Sequence, residues 1–231
     1  MMITVVALLL IITMIHVDCH EQCNERYMQV PVDCGGHTNM NRHLRREAVY
    51  HHNFKRFYLA DGTVFYEQRG TKFPTASDMN ALYYDCDLEN AAHEIARQCH
   101  NGGPDFDYVG SNNDTSHHLP SKLPADFVET IVNKWWDTVR KDGTLVDLTP
   151  SEENRAMIPF LQMANGGTNK LGCAYHLCND ADGNVDAYIL FVCTYGDPHI
   201  KVGSPIYTEG LPCDSCKDRC LHGALCDTEI A

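Results

Sequence analysis

Twelve cysteines in a chain of 231 residues constrain the fold more than any other feature. In an exported protein, that number reads as disulfides rather than free thiols, so distant segments must come within bridging distance. Four of them, Cys213, Cys216, Cys220 and Cys226, fall within 14 residues near the end of the sequence. This tail has too few apolar residues for a core of its own and must be stapled. Its Cys213-x-x-Cys216 spacing also suits zinc or redox chemistry, but an exported Cys-rich tail favours bridges.

The opening residues agree with export. Met1 to about Val17 is an almost unbroken apolar run, too short to span a bilayer and placed where a secretory leader belongs. The expected organisation is a leader over 1–18, an N-terminal extension over 19–33, one core-bearing domain over 34–197, and a cysteine-rich hinge and tail over 198–231. Cleavage before Cys19 leaves every cysteine able to pair. Cleavage after Cys19 leaves an odd thiol, Cys23 included in the count, that would link two chains into a homodimer. No second stretch approaches the ~20 apolar residues of a transmembrane helix, so the mature chain is expected to be extracellular. A net charge of -13, from 31 acidic and 18 basic residues, argues against a nucleic-acid partner, whose binding rests on cationic contacts.

Arg42 to Ala60 is helix-compatible, with Asp61-Gly62 as a stop. A second helix is expected over Asp87–Cys99, with Asp87 as N-cap and Ala91, Ile95 and Ala96 on one face. A loop rich in Gly, Asn, Asp and Ser then runs from Asn101 to about Ser121. Phe127, Val128, Ile131, Val132, Trp135, Trp136 and Val139 recur at helical spacing up to Asp142-Gly143. The two tryptophans continue that stripe and belong to a core rather than a ligand platform. A fourth helix is expected from about Glu152 to Met163, bent near Pro159. Leu171–Cys178 and Val185–Tyr195 are β-rich and flank the turn-forming run 179–184, which predicts an antiparallel hairpin. A turn centred near Gly183 sets Cys173 opposite Cys193, close enough for a cross-strand disulfide.

Several segments carry a family pattern in order: His52-Asn53-Phe54-Lys55-Arg56, Asp85-Cys86-Asp87-Leu88, Trp135-Trp136, Pro159-Phe160-Leu161-Gln162-Met163, Leu171-Gly172-Cys173-Ala174 and Phe191-Val192-Cys193-Thr194-Tyr195-Gly196. Together they resemble the CAP superfamily of cysteine-rich secretory proteins, antigen 5 and pathogenesis-related 1 proteins. Tyr207 to Cys213 is similar to the hinge of the venom-allergen-like proteins secreted by parasitic nematodes. The resemblance implies an α+β fold, an α-β-α sandwich with a three-stranded antiparallel sheet between helices and a disulfide-rich C-terminal hinge. It also implies a Cys86–Cys178 bridge beside Cys173–Cys193. Cys19, Cys23, Cys34, Cys99, Cys213, Cys216, Cys220 and Cys226 remain unassigned.

The family's cleft holds two histidines and two glutamates, donors that suit zinc. Carried over residue by residue, the four positions are Gly103, Ser111, Thr138 and Pro159. None offers an imidazole or a carboxylate. A shifted loop alignment would bring His100 near the cleft, but one ligand does not make a zinc site. His51-His52 and His117-His118 are adjacent pairs whose side chains diverge, so neither pair is a natural chelate. No serine or cysteine sits in a nucleophile motif. No cofactor is expected. Asn113-Asp114-Thr115 is an N-glycosylation sequon in a polar loop.

These readings imply a secreted, non-enzymatic protein that binds small lipids, a sterol or a fatty acid, and acts at the host interface as an immunomodulator. The alternative is a protein-interaction module that engages host cell-surface proteins through its surface and Cys-rich tail, without lipid.

Overall fold

In a computed structural model of the chain, the residues described are 29–36, 38–66, 71–100, 110–117, 123–140, 145–179 and 187–229. The leader, Cys19, Cys23, Gly103, His118 and the hairpin turn 180–186 lie outside them.

Helix α1 (Arg42–Ala60) starts at Asn41, whose side-chain oxygen accepts from the Leu44 N–H at 2.9 Å. It stops at Asp61-Gly62, where Gly62 takes φ +74°, a left-handed conformation that glycine adopts without a Cβ clash. The cap of α2 (Cys86–Ala96) is Asp85, not Asp87. The Asp85 carboxylate accepts from the Asp87 and Leu88 N–H groups, and so satisfies two of the helix's orphan donors. Helix α3 (Phe127–Trp136) tightens into a 3₁₀ turn over Asp137–Arg140. A second 3₁₀ turn (Glu152–Met157) runs into α4 (Ile158–Ala164). Pro159 lies in the first turn of α4, where its missing N–H leaves no hydrogen bond unmade, so it opens this helix.

Two short strands, β1 (Phe65–Tyr66) and β2 (Thr71–Lys72), form an antiparallel ribbon after α1. The central sheet contains β3 (Tyr83–Tyr84), β4 (Ser111–Ser116), β5 (Lys170–Cys178) and β6 (Tyr188–Tyr195), in the order β3-β5-β6-β4. Three strands are antiparallel as expected, and β3 adds a fourth, parallel to β5. β4 occupies part of the span 101–121 that reads as a loop in sequence. Its polar run Ser-Asn-Asn-Asp-Thr-Ser has no strand pattern of its own and is extended by zipping onto the edge of β6.

Helix α2 covers one face of the sheet. It approaches so closely that a Cβ on Gly172 would meet the Glu89 amide nitrogen at 2.1 Å, which is why glycine sits there. Thr194 Oγ1 donates across the same contact to Leu88 O at 2.8 Å. Helices α1, α3 and α4 cover the other face. There Phe191 packs against Phe127 and Trp135 at ring distances of 5.4 and 5.9 Å. Both tryptophans are core residues. A buried ion pair joins α1 to α2, with Arg45 Nε 2.7 Å from Glu89 Oε2, and the Tyr84 and Thr38 hydroxyls complete that carboxylate's bonding.

Among the described residues there are five disulfides: Cys34–Cys86, Cys99–Cys178, Cys173–Cys193, Cys213–Cys220 and Cys216–Cys226. Cys173 and Cys193 are directly opposed in the β5–β6 register. The implied Cys86–Cys178 bridge is not formed. α2 and β5 run side by side, from the Asp85–Lys170 ion pair at 2.8 Å to Cys178 Sγ, 3.9 Å from Ala96 O. Cys86 and Cys178 therefore lie at opposite ends of α2, roughly 15 Å apart by helical rise, about twice the ~7 Å a disulfide can span. Cys178 pairs instead with Cys99, just beyond the far end of the helix.

The tail carries its own ribbon, β7 (Cys220–Leu221) and β8 (Leu225–Cys226), held by both tail disulfides. It is docked onto the core rather than suspended from it. Cys226 N–H donates to Met79 O at 2.7 Å, and Ala81 N–H donates to Cys226 O at 2.9 Å. Ile200, Ile206, Tyr207 and Leu225 join the main core.

Candidate functional site

Three of the four positions aligned with the family's ligands can be located. Thr138, at the end of α3, has its hydroxyl committed on both sides: Oγ1 donates to Trp135 O at 2.7 Å and accepts from Phe160 N–H at 3.0 Å. Pro159, the neighbour of Phe160, offers only its carbonyl, which accepts from Asn112 Nδ2 at 2.9 Å. Ser111 precedes Asn112 on β4, so strand alternation turns its side chain away from that point. Thr138 and Pro159 are therefore brought together through α4, Ser111 faces elsewhere, and Gly103 lies outside the described residues.

Asn112 belongs to a buried polar chain that runs from α4 along one face of the sheet to α1. Its Nδ2 also donates to Tyr195 Oη at 3.0 Å. Tyr195 Oη lies 2.9 Å from His52 Nε2, and His52 Nδ1 lies 2.7 Å from Ala48 O. A carbonyl only accepts, so His52 Nδ1 carries the proton, and neutral Nε2 accepts from the tyrosine hydroxyl. Burial with no carboxylate beside it pushes the His52 pKa down to about 3, and burial likewise raises that of Tyr195. At neutral pH the chain is uncharged and has no exit to solvent, since His52, Asn112 and Tyr195 are all buried. Asn112 Oδ1 on β4 and Gln162 Nε2 on α4 are buried with no partner among the described residues.

Two further residues of the His52–Arg56 motif hold the backbone around this region. Asn53 exchanges two hydrogen bonds with Leu82, as a neighbouring strand would. Arg56 is fully buried and makes six hydrogen bonds to carbonyls, reaching Asn80, Met163, Asn165, Gly166 and Thr168. Burial pushes its guanidinium pKa down to about 9.

These residues do not fit a divalent metal. Zinc takes thiolate, imidazole or carboxylate donors, and a hydroxyl bonded on both sides or a proline carbonyl inside a helix supplies none. Among the described residues, no three His, Cys, Asp or Glu side chains are grouped so as to hold a metal ion. The Cys99–Cys178 bridge ties the neighbour of His100 to the α2 side of the sheet, opposite Thr138 and Pro159. His51 pairs with Glu47 at 3.2 Å, and the His117 ring packs 6.4 Å from that of Tyr188. Asn113 lies on β4 opposite Val192, and its carbonyl accepts from Trp135 Nε1 at 3.0 Å. The sequon is thus strand rather than loop.

Residues 41–195, well over half of the chain, match the CAP profile of the cysteine-rich secretory protein family. The chain belongs to this family. Among its relatives, the Ancylostoma secreted protein of Ancylostoma caninum is 31% identical, over 84% of this chain and 44% of that protein. This chain therefore spans less than half of that relative's length. Scoloptoxin SSD552 of Scolopendra dehaani is 27% identical, over 78% of this chain and 80% of its own. Among solved structures, BmVAL-1 superimposes with a TM-score of 0.70 at 27% identity, covering 85% of this chain and 98% of that one. NaASP2 with Zn2+ gives 0.67 at 26% identity, covering 79% and 94%. No described helix is long and apolar enough to cross a membrane.

Within this CAP domain, the sequence carried no local signal for the partners that hold Thr138 and Pro159. Asn112 and Tyr195 form the buried polar chain with His52, and neither stands out locally. One signal was present: His52, Asn53 and Arg56 are three polar residues at i, i+1 and i+4 on the face of α1 that also carries Leu44, Ala48 and Leu59. Polar groups on a core face must find partners inside.

Proposed function

We propose that this chain is a secreted, non-enzymatic CAP protein that binds small lipids, a sterol or a fatty acid, and acts at the host interface as an immunomodulator. The observation that carries the non-enzymatic part is the double commitment of the Thr138 hydroxyl together with the bonded carbonyl of Pro159. Both ligand positions have become internal structural links, so neither can polarise a substrate or activate water. Tyr195 and His52 could exchange a proton only with each other, because both are sealed in the core. What remains is a scaffold braced by disulfides, and binding is the activity such a scaffold supports. Export is supported by the apolar leader and by relatives named as secreted protein and toxin. The lipid part rests on the family resemblance.

The test is uptake of labelled cholesterol and of labelled palmitate by protein purified from a eukaryotic secretion host, against a denatured control. Saturable uptake of either is expected. Uptake no greater than the control for both would overturn the lipid reading.

A further inference from the structure

Two histidines meet across the contact between α2 and β5. On α2, Glu89, His93 and Ala96 fall at i, i+4 and i+7 and share one stripe. On β5, strand alternation sets Gly172, His176 and Cys178 on one face. The two rows touch at both ends. At one end Gly172 lies against the Glu89 amide; at the other, Cys178 Sγ is 3.9 Å from Ala96 O and bridged to Cys99. Between these fixed points the His93 and His176 rings lie 5.8 Å apart, centroid to centroid, with their planes inclined at 56°.

Both histidines are half-buried, so solvent still reaches the pair. His176 Nδ1 is buried with no partner among the described residues. Buried ring nitrogens are ordinarily bonded, and one that is not calls for an ion or a water. Imidazole nitrogen binds a metal at about 2.0–2.1 Å, so one ion shared by two rings sets their centroids roughly 5 Å apart. The observed spacing is within a small side-chain adjustment of that value. A ring that hydrogen-bonds through one nitrogen still ligates through the other, as metal-bound histidines ordinarily do. Arg97, one turn beyond His93, is paired with Glu94, which offsets its charge near the rings. Arg97 and, after it, His93 hold the exposed Glu94 carboxyl below its ordinary pKa, so a carboxylate lies within electrostatic reach of the pair.

We propose that His93 and His176 form a binding site for a divalent transition-metal ion, copper(II) above all, with water completing the coordination. Two protein ligands are too few for a zinc site, which takes three or four. Copper(II) stands highest among the first-row divalent ions in affinity for nitrogen and oxygen donors, and it accepts a tetragonal set of two imidazoles and two waters. The backbone on either side is fixed by the Gly172 contact and the Cys99–Cys178 bridge, so binding has little to put in order. This pair lies on the α2 face of the sheet, opposite Thr138 and Pro159, and is independent of the lipid reading.

The experiment is calorimetric titration of Cu2+ into the secreted, disulfide-intact protein: wild type, His93→Gln, His176→Gln and, as a control on α1, His51→Gln. Melting curves without metal check that each variant folds, and each ligand has its own variant, so either one decides the question if the other fails to fold. Wild type is expected to bind one Cu2+ that His93→Gln and His176→Gln lose or hold at least ~10-fold more weakly, since disturbing even an outer-shell partner costs that much. His51→Gln should bind as wild type does. Zn2+ should bind more weakly than Cu2+, and Mg2+, which prefers oxygen ligands, should give no isotherm. Electron paramagnetic resonance of the wild-type complex should show copper with two nitrogen ligands, a signal reduced in both variants. Equal Cu2+ binding by wild type and either folded variant would overturn the proposal, as would no binding at all or a loss confined to His51→Gln.

Discussion

Arg56→Met removes a buried cation that binds α1 to the 163–168 segment at the end of α4. Its guanidinium makes six hydrogen bonds to five carbonyls. Gly166 O also accepts from Asn80 N–H, which leaves Asn80, Met163, Asn165 and Thr168 with Arg56 as their donor among the described residues. An orphaned buried carbonyl costs about 1–3 kcal/mol, so four would cost at least ~4 kcal/mol. Against this, a guanidinium held near pKa 9 by burial already carries a desolvation cost that methionine removes, on the order of a few kcal/mol. Methionine also fills much of the vacated volume. The carbonyls should win, because they line a closed interior that water cannot enter without separating α1 from the 163–168 segment. The expected loss is about 3 kcal/mol, or roughly a 6–12 °C drop in melting temperature for a domain of this size. Arg56→Lys keeps the charge but presents at most three donors from one point, so it should fall between wild type and Arg56→Met. The assay is thermal unfolding of the secreted, disulfide-intact proteins followed by circular dichroism. A melting temperature for Arg56→Met within 2 °C of wild type would refute the argument that these carbonyls depend on the guanidinium.

Stability should also depend on His52. Its folded pKa, about 3, lies below the unfolded value near 6.5, so the unfolded chain takes up a proton that the native chain refuses. The contribution is complete above pH 6.5 and declines as the pH falls towards 3, at about 1.4 kcal/mol per pH unit. Urea titrations between pH 6 and pH 4 should show that slope reduced by about this amount in His52→Gln; an unchanged slope would show that His52 is not the group responsible. Gln162→Met deletes a buried amide with no partner for Nε2. It should leave the urea midpoint unchanged or raise it, by up to ~1 kcal/mol; a loss of stability beyond 1 kcal/mol would reveal a donor–acceptor pairing that the present geometry lacks.

The readable parts of this fold are those encoded over short spans. The Arg42–Ala60 helix and its Asp61-Gly62 stop follow from local chemistry, as do the Phe127–Trp136 stripe and the register that opposes Cys173 to Cys193. The misread elements owe their structure to a distant neighbour. β4 is a polar run that becomes a strand only because the edge of β6 is open to it. The cap of α2 is Asp85 rather than Asp87, a difference of two residues settled by which carboxylate can reach the first free amides. Cys86 misses Cys178 because α2 and β5 run side by side in the same direction, a fact that cysteine spacing does not carry. Within the candidate site, the absence of metal donors at Ser111, Thr138 and Pro159 was legible from residue identity alone. The partners that now occupy Thr138 and Pro159 were not.

The sequence by itself determined that Ser111, Thr138 and Pro159 bring no imidazole, thiolate or carboxylate, because side-chain identity decides whether a group can ligate or titrate. It also determined the family, through motifs whose order survives along the chain. Only the tertiary structure decided how the ligand-free region is held together, through Arg56 and its carbonyls and through the uncharged chain from His52 to Asn112. Those bonds join residues as much as 143 positions apart. Their strength comes from exclusion of water, which no local pattern records and only the closed core supplies.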